Sequence, residues 1–164
     1  MNKEIELKEN DFIVSKTDLK GKITYCNNTF LKISGYEIEE LIGAPHNILR
    51  HEDMPKLAYK VLWSKIKENN DFFGFVKNKT KNGDFYWVFT YVSADLDKNG
   101  KIIGYTSIRR QIRREAIEIM EPIYKKLIEL EKVSINKSEE FLTDTLNSLD
   151  LEYNQFILLT QTGA

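Results

Sequence analysis

Arg50, His51, Glu52 and Asp53 stand side by side, and the segment that follows them, MPKLAYKVLW, is apolar and aromatic. Ionisable groups packed this closely against an apolar run offer three kinds of chemistry. A histidine beside carboxylates is suited to moving protons. An arginine presents a rigid fork of donors that fits a phosphate or a carbonyl oxygen. Asp53 also suits the plainer task of starting a helix, because a short acidic side chain accepts from the free amides of a first turn and favours the positive end of the helix dipole. Catalysis finds no support elsewhere in the chain. There is no G-x-S-x-G, no P-loop and no G-x-G-x-x-G, so the chain is not expected to be an enzyme.

A second set of residues offers contacts rather than reactions. Asn27 and Asn78 carry amides that both donate and accept, and Asn is disfavoured in a strand unless something bonds it. Their plain readings are a helix cap and an exposed strand residue. Trp63, Phe72 and Trp87 present flat faces for stacking on a ring, against ordinary packing. Tyr86 and Trp87 occupy adjacent strand positions and face opposite ways, so at most one lines any one pocket. Two histidines and one cysteine give poor support for a four-ligand zinc site, although haem ligation by His51 is conceivable. The run RRQIRR (109–114) reads as a solvated face or as a docking surface for a partner. It lacks the surrounding basic residues of a nucleic-acid patch.

The elements that must position these groups follow from pattern. FIVSK (12–16) and KITYC (22–26) read as strands joined by a hairpin over Asp18 and Gly21. Asn27 or Asn28 caps a short helix stopped by Gly35, and EIEELIG forms another helical turn. Met54, Leu57, Ala58, Val61 and Leu62 share one helical face, predicting a helix from Met54 to about Glu68 with Asp53 at or beside its cap and Pro55 in its first turn. FFGFVKNKT, DFYWVFTYVSADL and KIIGYTSIRRQI then read as three antiparallel strands, separated by the turns KNGD and DKNG. The order predicts an α+β fold with a single mixed sheet and helices on one face. Beyond residue 112 the pattern is helical, with a stripe at Ile117, Met120, Ile123, Tyr124 and Leu127 that Pro122 interrupts. A capping box at Asn136 and Glu139 leads into Phe141, Leu142, Leu146 and Leu149, and FILLTQTGA closes the chain as an apolar cluster.

The formal net charge is −1, so no global field favours nucleic acid or a membrane surface. The N-terminus has no apolar signal core, and no run approaches the roughly 18 apolar residues of a membrane span. Cys26 has no partner for a disulfide. The expectation is a cytoplasmic chain with no direct membrane insertion.

Four stretches go further than pattern. ITYCNNTFLKISGY, LIGAPHNILRHEDMPKLAYKVLW, VKNKTKNGDFYWV and GYTSIRR resemble the sensor domain of bacterial aerotaxis receptors, and EPIYKKL (121–127) resembles the segment that follows that domain. The flavin-binding PAS domain of nitrogen-fixation redox regulators is similar. The resemblance covers roughly residues 11 to 130. It implies a PAS fold, a five-stranded antiparallel sheet with short helices and one long helix on one face, followed by a helical C-terminal extension. The implied divisions are an N-terminal cap segment (1–10), a sensor domain (11–112) and an extension for signalling or dimerisation (113–164).

The resemblance also implies non-covalently bound FAD, with Asn27, Arg50, His51, Asp53, Trp63, Phe72, Asn78 and Trp87 as the cofactor-binding residues. Phe72 departs from the pattern, since the related receptors often carry a tryptophan there, and phenylalanine has no indole N–H to donate. Light-sensing PAS domains attack flavin with a cysteine in the stretch matching Ala44 to Arg50. This sequence has none there, so photoadduct chemistry is not expected. The related receptors usually carry a membrane anchor and a signalling domain. This chain shows neither, which implies a soluble sensor of redox or energy state that works with a membrane-bound chemotaxis signal transducer, dimerising through its helical segments. A haem-binding gas sensor and a ligand-free PAS interaction module remain the alternatives.

Overall fold

Residues 2–164 are described by a computed structural model. Strands β1 (Ile13–Thr17) and β2 (Ile23–Cys26) form a hairpin. Its turn is held by Asp18, whose Oδ1 accepts from the amides of Lys20 and Lys22 at 2.9 Å each. Gly21 completes the turn at φ 85°, a conformation that suits only a residue without a Cβ. The chain then passes through α1 (Asn28–Ser34), α2 (Ile38–Leu41), a 3-10 turn at His46–Leu49 and α3 (Lys56–Ile66). It returns as β3 (Phe72–Lys79), β4 (Phe85–Leu96) and β5 (Ile102–Arg110). The five strands are ordered β2-β1-β5-β4-β3, every neighbouring pair antiparallel, so the first and last strands meet at the sheet's centre.

Strand alternation sorts side chains between two faces. Tyr86 and Val88 pack with Phe30, Ile33 and Leu41 on the inner face, under α1 and α2. Phe75, Trp87 and Phe89 lie on the other face. An outer face this aromatic is not left in water. Helix α4 (Arg114–Glu131) lays Ala116, Ile117, Met120, Tyr124 and Leu127 against it. Helices α5 (Ile135–Ser148) and α6 (Tyr153–Thr162) complete the cover. The edge strand is closed as well: Asn154 of α6 accepts from the Phe73 amide at 3.2 Å and donates to the Asp71 carbonyl at 2.9 Å. The apolar stripe of residues 117–127 is therefore occupied by the sheet. Pro122 is exposed and lies within an unbroken α4.

Two caps differ from the sequence reading. Helix α3 starts at Lys56, and Asp53 does not cap it. The first-turn amides of Lys56 and Leu57 donate instead to the two carboxylate oxygens of Glu131, at 3.0 and 2.9 Å. An acceptor from 74 residues away takes the place of a local one, and Pro55 sets the entry angle by its fixed φ. Helix α5 is capped by Ser134, whose hydroxyl accepts from the Lys137 amide at 3.2 Å, rather than by Asn136. The N-terminal segment is tied to β4 by bonds from Ile5 to the Phe85 carbonyl and from Phe85 to the Lys3 carbonyl.

Candidate cofactor pocket

Between α3 and the inner face of the sheet lies a cavity of about 240 Å³. Helical spacing brings Ala58, Tyr59, Leu62, Trp63 and Ile66 to one wall. Trp63 is set edge-on to Tyr105, with ring centroids 5.4 Å apart, and its ring lies 3.3 Å from where a Cβ on Gly21 would stand. The pairs Phe72↔Val92 and Gly74↔Thr90 place Phe72, Thr90 and Val92 on the floor, with Val76 and Asn78 further along β3. The result is a slot with aromatic and aliphatic sides, which suits a flat ring system.

The polar groups on these walls are unusual in being under-bonded. Arg50 lines the slot, its guanidinium 3.8 Å above the Tyr59 ring. Arg50 Nε, Thr90 Oγ1 and Arg109 Nε are buried and have no hydrogen-bond partner. Most buried polar groups are paired, and leaving one unpaired costs about 1–3 kcal/mol. A set of them facing one cavity points to a ligand that supplies the partners. Asn78, 5% exposed, brings an amide to the same floor.

Arg109 lies deeper. It is 2% exposed on the central strand β5. Its Nη2 donates to Ser15 Oγ at 2.5 Å and its Nη1 to His46 Nε2 at 3.1 Å, with the guanidinium over the Phe30 ring. Burial lowers its pKa from 12.5 to about 10, which leaves it a cation at neutral pH. An arginine has no lone pair to offer, so His46 Nε2 must be bare and the imidazole neutral. Burial, then the Arg109 charge, lowers the His46 pKa to about 3. His46 as a whole is half-buried, with its Nε2 facing Arg109.

That pairing has a consequence for acid stability. An unfolded chain protonates His46 below about 6.5, whereas the folded chain keeps it neutral down to about 3. The unfolded state therefore binds the extra proton in that window, and stability falls as pH drops through it. His46→Gln is expected to flatten the pH dependence of the urea midpoint by one proton, about 1.4 kcal/mol per pH unit. An unchanged slope would mean that His46 protonates in the folded chain.

The residues read from sequence separate into two groups. Arg50, Trp63, Phe72 and Asn78 line the cavity. Asn27, His51, Asp53 and Trp87 lie off its wall. Asn27 Oδ1 accepts from the amides of Phe30 and Val14 at 3.1 Å each and its Nδ2 donates to the Phe12 carbonyl, so it caps α1 and pins it to β1. His51 is buried edge-on to Phe85, with Nδ1 accepting from the Asp53 amide at 3.0 Å. Asp53 accepts from Lys77 Nζ at 2.7 Å, which holds its carboxyl below the usual range. Trp87 stacks on Tyr124 on the outer face. Cys26 is a buried core residue packed with Ile23 and Phe30.

Sequence reasoning did not single out Arg109 or Thr90, which line the cavity. Arg109 was hidden in RRQIRR, which looked solvated as a unit. The signal that finds it is strand alternation, since Tyr105, Ser107 and Arg109 share a face at period two. The rest of that run behaves differently. Arg113 donates to the Thr160 carbonyl and Arg114 pairs with Glu4.

Comparison with known proteins agrees with this architecture. Residues 23–109, just over half of the chain, match the family model described as the PAS fold. The chain is 45% identical over 121 residues to the aerotaxis receptor of Escherichia coli, covering 74% of this chain and 24% of the receptor. It is 25% identical over 99 residues to a nitrogen fixation regulatory protein of Klebsiella pneumoniae, covering 60% of this chain and 20% of that protein. The chain thus spans a quarter or less of the length of these relatives. Among solved structures, a light-oxygen-voltage domain whose mechanism was studied with a flavin analogue superposes with a TM-score of 0.59 at 18% identity, covering 70% of this chain and 86% of that one. No helix among the described residues is long and apolar enough to cross a membrane. With the five-stranded sheet, the helices over its inner face and the matching family model in place, the chain belongs to the PAS family of sensor domains.

Proposed function

We propose that this chain is a redox or energy sensor that binds FAD in the cavity beneath α3 and reports to a membrane-bound chemotaxis signal transducer. The observation that carries the reading is the coincidence of an aromatic slot with buried, unpartnered polar atoms on Arg50, Thr90 and Arg109. At about 240 Å³ the slot is below the usual range for a whole ligand and accommodates a fused ring rather than a complete dinucleotide. Arg50, bridged to Asn78, would offer its guanidinium to a phosphate or carbonyl oxygen, and Lys20 lines the same pocket. Trp63 and Phe72 would flank the ring, and the Asn78 amide would meet its alternating donor and acceptor edge. The likeness to an aerotaxis receptor and to a structure studied with a flavin analogue supports the reading.

Bound flavin would supply reversible electron uptake coupled to protonation of its ring. The side chains would convert that change into a mechanical one. Asn78 and Thr90 lose or gain a partner, a difference of about 1–3 kcal/mol, which is enough to bias a two-state element. Tyr124 touches the cavity and donates to the Phe75 carbonyl at 2.5 Å. Glu131 holds the N-terminus of α3. Both belong to α4, so a shift in the pocket wall reaches the C-terminal helices directly. The C-terminal segment still exposes Ile119 of α4, Leu159 of α6, and Val133 and Leu149 in the connections, and it is on this segment that we propose the transducer or a second copy of the chain docks.

The test is the chemical identity of the cargo. Purified chain is denatured and the released small molecule is identified by mass. FAD is the expected result. FMN would correct the ligand, haem would overturn the flavin reading, and no ligand even after refolding with FAD would favour a ligand-free interaction module.

A further inference from the structure

Two turns of the same construction stand side by side at one end of the sheet. They are DLKGK (18–22), between β1 and β2, and DKNGK (97–101), between β4 and β5. In each, the aspartate Oδ1 accepts from the amides two and four residues on, at 2.8–2.9 Å. In each, a glycine takes a positive φ, 85° at Gly21 and 82° at Gly100. Tyr105 pairs with Thr17, and Gly104 lies so close to the Thr17 carbonyl that a Cβ would not fit, which brings the two turns together. The construction has an electrostatic result. Both carboxylates are spent on backbone amides, while Lys20, Lys22, Lys98 and Lys101 are exposed. The turns thus carry four lysines against two aspartates, on a chain whose formal net charge is −1. Aliphatic side chains stand out among these lysines. Leu19 is 51% exposed, Leu96 45% and Ile103 54%. Ile103 is turned outward by a bulge: Asp95 pairs with Gly104 and Leu96 with Ile102, which leaves Ile103 as the extra residue.

We propose that these two turns form a peripheral membrane contact. The aliphatic tips enter the boundary between headgroups and acyl chains, and the lysines meet anionic phospholipid headgroups. The inference stands apart from the flavin reading. Composition favours a bilayer over a protein partner. Protein interfaces gather aromatic residues and arginine, are poor in lysine, and bury a contiguous patch of about 800 Å² on each side. Here the apolar groups are single side chains on separate turns, and the exposed charges within the turns are lysines. That combination suits a fluid, negatively charged surface. The contact needs no membrane span. Each lysine near an anionic surface is worth roughly fivefold in partitioning, and each partly immersed aliphatic tip adds about as much. Thr17, Lys20 and Gly21 also line the cavity, so a docked chain holds that wall of the cavity close to the bilayer.

The experiment is co-sedimentation of the purified chain with vesicles of phosphatidylcholine, alone or mixed in equal parts with phosphatidylglycerol, at low and at high salt. Wild type is expected to sediment with the mixed vesicles at low salt and to stay in solution beside phosphatidylcholine alone. The triple variant Lys22→Gln, Lys98→Gln, Lys101→Gln is expected to lose roughly a hundredfold in partitioning, a loss that shrinks as salt screens the charges. Leu19→Ser with Ile103→Ser is expected to lose about tenfold or more at either salt. The substituted positions are exposed, and an unchanged urea midpoint shows that each variant is folded. The control triple Lys126→Gln, Lys132→Gln, Lys137→Gln, on the C-terminal segment, should bind as wild type does. Equal loss in the two lysine triples would make the attraction a property of the whole charge and overturn the proposal. A wild-type chain that ignores the mixed vesicles overturns it outright. If that chain self-associates instead, and Leu19→Ser with Ile103→Ser abolishes the association, the turns belong to a contact with a second copy.

Discussion

Arg50→Ala is expected to weaken FAD binding by about tenfold to a hundredfold, the equivalent of one hydrogen bond to a charged group at about 1.5–3 kcal/mol. The substitution removes a guanidinium that lines the slot, together with its stack on Tyr59 at 3.8 Å. Arg50→Lys keeps the charge but loses the fork, so an intermediate loss is expected. Lys60→Ala is the control: it lies on the same helix, is paired with Glu139 at the surface, and faces away from the cavity. Retention measured by gel filtration of the refolded holoproteins decides the matter. Equal retention in Arg50→Ala and Lys60→Ala would remove Arg50 from the site.

Ile157→Ala is expected to lower stability by about 2–5 kcal/mol, the cost of deleting a fully buried branched side chain. Ile157 is 0% exposed in α6, packed with the α4 stripe and the outer face of the sheet. The urea transition should remain single and shift as a whole, because α6 also closes the β3 edge through Asn154. Leu158→Ala, at an exposed neighbouring position, should change stability by less than about 0.5 kcal/mol. If the C-terminal helices extended away from the sheet, both variants would leave the midpoint unchanged.

The strands and α3 were legible because each carries its own periodicity and turn residues, from Gly21 to the hairpins KNGD and DKNG. Asn27 was legible as a cap for the same local reason. What local pattern could not carry was the destination of an apolar stripe. The residues from Ile117 to Leu127 announce a helix face but not its partner, and only the aromatic outer surface of Phe75, Trp87 and Phe89 determines that it is the sheet. Caps supplied at long range were invisible for a related reason, as with Glu131 at the start of α3.

The opening run of ionisable residues shows the same limit. Arg50 reaches the cavity, while Asp53 turns to Lys77 and His51 to Phe85, because a strand 24 residues later supplies the cation. Adjacent residues in an irregular segment share a neighbourhood but not a direction. Arg109 is the converse, a residue hidden by its charged neighbours and buried by its place on the central strand.

The central claim is that the cavity beneath α3 holds a redox-active flavin. The absorbance spectrum of the purified chain, recorded as isolated, after dithionite and after return to air, tests it most directly. The near-ultraviolet and blue bands of oxidised flavin, bleaching on reduction and returning with oxygen, are the predicted result. A haem Soret band, or a chain that stays colourless after refolding with FAD, would contradict it.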